Sequence, residues 1–97
     1  MFFRRRDKRL ECARALMDVK NILSLLNLVG EDKKKLKNIR RMLEDAEYNI
    51  EVCPTEVRER VEILMSQIKD DLKKKRKPET DFAEKILEKE LKKLLEI

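Results

Sequence analysis

Ninety-seven residues with one glycine, two prolines, no tryptophan and no histidine, 46% of them charged, describe one domain of helical character. A chain this short buries only a modest fraction of its unfolded surface, so a well-packed core or a partner must supply the balance. The net charge of +5 is mild for so charged a chain, and the lack of histidine removes the usual general base and the usual metal ligand.

The chain opens on "MFFRRR", in which two apolar residues precede the charges and no apolar core region follows, so no secretory leader is expected. The longest apolar stretch, "ILSLLNLV" at 22–29, is far too short to span a bilayer. A cytoplasmic protein is the resulting expectation. The Lys/Glu enrichment is also the kind that builds surface ion-pair networks in proteins from hot environments.

Apolar residues then recur at helical spacing in four blocks. The first, expected over 5–29, carries Cys12, Leu16, Val19, Leu23 and Leu26 on one stripe. From Ile22 to Val29 it is apolar almost all round, interrupted only by Ser24 and Asn27. A helix of that kind is buried on more than one side. Either it is central to the fold or it meets another subunit, and Ile22, Leu25, Leu28 and Val29 are the candidate oligomer contacts.

Gly30 stands where a left-handed C-terminal cap is wanted, and Asp32 can cap the next helix. That second helix, expected over 32–51, aligns Leu36, Ile39, Leu43, Ala46 and Ile50, and Pro54 stops it at Cys53. The third, over 55–77, aligns Val57, Val61, Leu64, Ile68 and Leu72, with Glu56 and Glu59 near its positive end. Pro78 ends it. Thr80 reads as the N-cap of a fourth helix over 80–96, whose stripe is Ala83, Leu87, Leu91 and Leu94, and Phe82 is expected to pack in the core. The fold class is all-α, and short connections between four amphipathic helices predict an antiparallel up-down-up-down bundle of two hairpins.

Charge gathers unevenly. Residues 31–42 carry six cations against two acids, and 43–72 carry three against nine; residues 73–77 are five cations in a row. In an up-down bundle the turns after the first and third helices share one end. Lys33, Lys34, Lys35, Lys37, Arg40 and Arg41 would thereby meet Lys73, Lys74, Lys75, Arg76 and Lys77 in a basic pole. Phosphate neutralisation by such a pole supplies most non-specific nucleic-acid affinity. The plainer reading of 73–77 is a helix end, where cations meet the negative end of the dipole. For 33–41 it is a solvated helix face. Arg4, Arg5, Arg6, Lys8 and Arg9, which follow Phe2 and Phe3, have the plain reading of pairing with acids such as Glu51 or Glu56.

Chemistry has little to work with. Two cysteines cannot build a zinc site alone, one glycine cannot form a phosphate-cradling loop, and Ser24 and Ser66 fall within helices with no base at hand. Cys12 and Cys53 lie toward the same pole, so a disulfide between them is conceivable. The expectation is nevertheless two separate, partly buried thiols, because disulfides are rare inside most cells. "MDVKNILSLLN" (17–27) resembles the opening helix of the small all-α chorismate mutases, which read roughly Ile-Asp-x-x-Ile-Leu-x-Leu-Leu. One extra residue separates Asp18 from Ile22, and Leu28 and Val29 stand where that family's arginine belongs, so the resemblance implies no activity. The sequence thus predicts no enzyme, cofactor, metal or small-molecule substrate. It predicts a helical interaction module that forms a homo-oligomer or meets a protein partner, or else an accessory protein for DNA or RNA.

Overall fold

The computed structural model describes residues 8–95. Four α-helices follow one another: α1 (Lys8–Val29), α2 (Lys33–Asn49), α3 (Thr55–Lys73) and α4 (Thr80–Leu95). A single 3-10 turn, Ile50–Val52, extends α2, and there is no strand among the described residues. The all-α class stands. The segment containing Phe2, Phe3, Arg4, Arg5 and Arg6 lies outside the described residues.

The breadth of the apolar face of α1 has its cause in packing. Ala13, Ala15 and Ile22 are buried in addition to the predicted stripe, and α1 lies against α2, the 3-10 turn and α4. It is the central helix. The α1–α2 connection forms as its residues dictate: Gly30 adopts φ +60°, and the Asp32 carboxylate accepts hydrogen bonds from the N–H groups of Lys34 and Lys35.

Cross-links between helices fix their relative directions. Asn27, near the end of α1, accepts a 2.9 Å hydrogen bond from the hydroxyl of Thr80, the first residue of α4. Lys20 pairs with Glu88 at 2.9 Å. The two helices therefore run antiparallel. This also corrects the role of Thr80, which is buried inside the first turn of α4 and ties it to α1 instead of capping it.

Between α2 and α3 the register departs from a tight hairpin, which would set Glu47 against the first turn of α3. Glu47 instead pairs with Lys69, at 2.6 Å, in the second half of α3. The backbone of Cys53 and Pro54 between the two helices is extended (ψ 152° and 149°).

Cys12 and Cys53 form a disulfide, with Cα atoms 4.8 Å apart. The expectation of separate thiols is overturned. The 3-10 turn carries Cys53 back alongside the first turns of α1, and both cysteines are buried there. The bond therefore staples the central helix to the end of α2.

Phe82 is a second correction: it is 62% exposed. The buried line of α4 runs through Thr80, Ala83, Leu87, Glu90 and Leu94. Phe82, one residue before Ala83, is turned by about 100° away from that line and toward α3, with Ile86 following it one turn later. Glu90 occupies a core position, 3% exposed, and its carboxylate accepts a short hydrogen bond from Arg60 of α3. That bond first, and the attraction of the carboxylate second, raise the guanidinium above its ordinary value. The pair joins the first half of α3 to the second half of α4, and Asp70 and Asp71 near the end of α3 share a hollow with Glu79 and Phe82 at the start of α4, so these helices also run antiparallel.

Candidate basic interface and apolar groove

The six cations of α2 project from a helix whose buried line is Ile39, Leu43 and Ala46. Lys33, Lys34, Lys35, Lys37, Arg40 and Arg41 are all exposed, and none forms a salt bridge among the described residues. Lys33, Lys34 and Lys35 sit in the first turn, where the helix dipole opposes positive charge and only the Asp32 cap offsets it. Their placement is unexplained by helix stability.

The 73–77 run divides in two. α3 ends at Lys73, four residues before the predicted 77. Lys74 is its C-cap and pairs with Asp70 at 3.1 Å. Lys75 then adopts φ 58°, its N–H bonds to the Leu72 carbonyl, and the Arg76 N–H bonds to the Asp71 carbonyl at 2.7 Å. These are the two bonds of a Schellman ending, with a lysine in the left-handed position that glycine usually takes. The helix-end reading thus covers Lys73 and Lys74. Arg76 and Lys77 lie beyond the helix, exposed, leading into the buried Pro78. Three residues after Lys77, the Thr80–Asn27 bond anchors this segment to the last turns of α1, from which α2 and its cations begin.

The left-handed lysine gives a direct prediction. Lys75→Gly removes a Cβ clash and should stabilise the fold by about 1 kcal/mol, net of glycine's extra freedom when unfolded. Thermal unfolding then shows a midpoint higher by a few degrees. A lower midpoint would mean that the Lys75 side chain contributes to the fold beyond its backbone geometry.

The four candidate oligomer contacts separate. Ile22 belongs to the chain's own core, Val29 is half-buried, and only Leu25 and Leu28 are exposed, Leu28 at 81%. Sequence reasoning overlooked a better apolar surface. Ile63 of α3 is 60% exposed, and with Leu64, Gln67, Phe82 and Ile86 it lines a groove between α3 and α4. These two helices touch far more sparingly than α1 touches α2 or α4. The signal was Ile63 beside the predicted stripe of α3, matched by Phe82 and Ile86 beside that of α4. Among the described residues no group of three or more Cys, Asp or Glu is arranged to hold a metal, and no helix is long and apolar enough to cross a membrane.

No family model, curated protein or solved structure matches this chain.

Proposed function

We propose that this protein is a non-catalytic interaction module, an up-down-up-down four-helix bundle that works by presenting apolar surface to a protein partner. The observation that carries the reading is the α3–α4 groove, where Ile63 and Phe82 stay exposed although the core beneath them is complete. Exposed large apolar side chains gathered at one groove are costly for solubility and are typical of contact surfaces. The test is cross-linking and co-purification from the source cells with wild-type protein and with Ile63→Glu/Phe82→Glu. The expected result is a discrete set of cross-linked species that the double variant loses while its helical content is retained. Identical profiles would sink the reading.

A second reading, a nucleic-acid accessory protein, is favoured by one observation: the α2 cations are exposed and form no salt bridge among the described residues, and Lys33, Lys34 and Lys35 stand where the dipole disfavours them. In the up-down arrangement they share an end of the bundle with Arg76 and Lys77. Salt-dependent binding of duplex DNA and single-stranded RNA, followed by fluorescence anisotropy, tests it. For either reading, a cytoplasmic setting accommodates the Cys12–Cys53 bond if the source is a hyperthermophile, where intracellular disulfides are common. The Lys/Glu-rich composition points the same way.

A further inference from the structure

We infer that the occupant of the α3–α4 groove is a second copy of this chain, docked about a two-fold axis that passes beside Phe82. The inference rests on the reading of the groove as a contact surface and names its partner.

The groove consists of two adjoining hollows that share Leu64, Gln67 and Phe82. These residues mark its midpoint. Beyond them the two ends carry opposite charge. Asp70, Asp71 and Glu79 line one end, where α3 finishes and α4 approaches its start. Arg60, Lys89 and Lys93 line the other, where α3 starts and α4 finishes. Some of this charge is already engaged: Asp70 pairs with Lys74, and Arg60 with Glu90. Asp71 and Glu79 at one end, and Lys89 and Lys93 at the other, form no salt bridge among the described residues.

Opposite charges at the two ends of an apolar groove are what a symmetric dimer requires. In a two-fold contact each patch meets itself reversed. Placing the axis at the midpoint sets the acidic end of one copy on the basic end of the other, and does so twice. The same operation brings the two Phe82 rings together at the centre, where desolvated aromatic anchors contribute most to binding, and sets Ile63 of each copy, which lines the basic hollow, toward the acidic hollow of the other. Any other occupant must bring matching charges of its own, whereas a second copy carries them by symmetry. The polar ends then fix orientation and register, since a parallel docking would oppose like charges.

Sedimentation of the purified protein from low to high micromolar concentration tests the inference, with circular dichroism confirming that each variant stays helical. The wild type is expected to dimerise, and Phe82→Glu to weaken the dimer by about 30-fold or more. Two charge reversals supply the sharper arm. Lys89→Glu/Lys93→Glu opposes acid to acid, and Asp71→Lys/Glu79→Lys opposes base to base, so each protein alone should be monomeric. Mixed together they restore both complementary contacts and should form a heterodimer.

A wild type that stays monomeric overturns the inference. So does a dimer that ignores Phe82→Glu and both reversals, since it would be built on another surface such as the exposed Leu25 and Leu28 of α1. Failure of the second copy is distinguishable from failure of the interaction reading. A monomer whose cross-linking profile still depends on Ile63 and Phe82 overturns only the former, and a monomer whose profile does not depend on them overturns both.

Discussion

Reducing the Cys12–Cys53 disulfide lowers the stability of the fold by about 3 kcal/mol and its unfolding midpoint by roughly 10–20 °C. The size follows from the sequence separation of 41 residues between the bonded cysteines. Cross-linking so long a segment removes a large part of the unfolded chain's freedom, and the chain-entropy account gives about 4 kcal/mol for a loop of this length, a figure that measured disulfides usually fall somewhat below. Against a total of about 5–15 kcal/mol for an ordinary domain, that share is large.

The effect should also carry a kinetic signature. Both sulfurs are buried between α1 and the 3-10 turn, so a reductant reaches them only when the start of α1 opens. Reduction under native conditions is therefore expected to be slow and to accelerate steeply with mild denaturant. Denaturant unfolding of the oxidised, the reduced and the Cys12→Ala/Cys53→Ala proteins checks both points. The last two should show a lower midpoint and a steeper dependence on denaturant, because an uncrosslinked chain exposes more surface on unfolding. Coincident curves for all three would mean that the bond does not constrain the chain.

What was legible in the sequence is what depends on local spacing. The buried residues of α2 and α3 fall on the 3.6-residue period with few gaps, and Gly30 and Asp32 punctuate the chain through their own backbone preferences. What was not legible depends on how the helices are offset and rotated against one another. Whether Cys12 faces Cys53 is decided by the path of the chain through the 3-10 turn, which periodicity does not encode. The exposure of Phe82 depends on a rotation of one residue about the α4 axis, and a stripe that already included Leu91 was too broad to resolve it. Glu90 sits three residues after Leu87 and four before Leu94, so the pattern did mark a carboxylate at a core position. Its partner, Arg60, lies thirty residues away on α3 and could come only from the tertiary fold. For the candidate site the limit is different again. Charge runs are visible in any sequence, but whether each cation is already paired is a property of its surroundings: Lys74 is engaged by Asp70 and Lys35 forms no salt bridge among the described residues.

The difference between paired and unpaired cations sets the expected result of the nucleic-acid experiment. If the α2 cations engage phosphates, Lys33→Gln/Lys34→Gln/Lys35→Gln lowers the magnitude of the salt slope on duplex DNA by about 0.9 for each phosphate no longer neutralised, close to 3 in total. A chain engaging about six phosphates loses roughly 10³-fold in affinity between 50 and 200 mM salt, so the triple variant should bind more weakly and much less salt-dependently. Fold stability should not suffer: the three lysines form no salt bridge among the described residues, and removing cations from the first turn relieves their conflict with the dipole. Lys74→Gln, which removes a cation already engaged by Asp70, should change the slope less than Arg76→Gln or Lys77→Gln beyond the helix. Arg14→Gln/Lys85→Gln/Lys92→Gln, exposed cations outside both α2 and the α3–α4 groove, removes three charges elsewhere and serves as the control for net charge. Equal losses from the triple and the control would reduce the binding to the overall +5 of the chain and dismiss the basic pole. Loss confined to α2 and the segment after α3 would join the two runs into one phosphate-binding surface, with Lys73 and Lys74 left to close the helix.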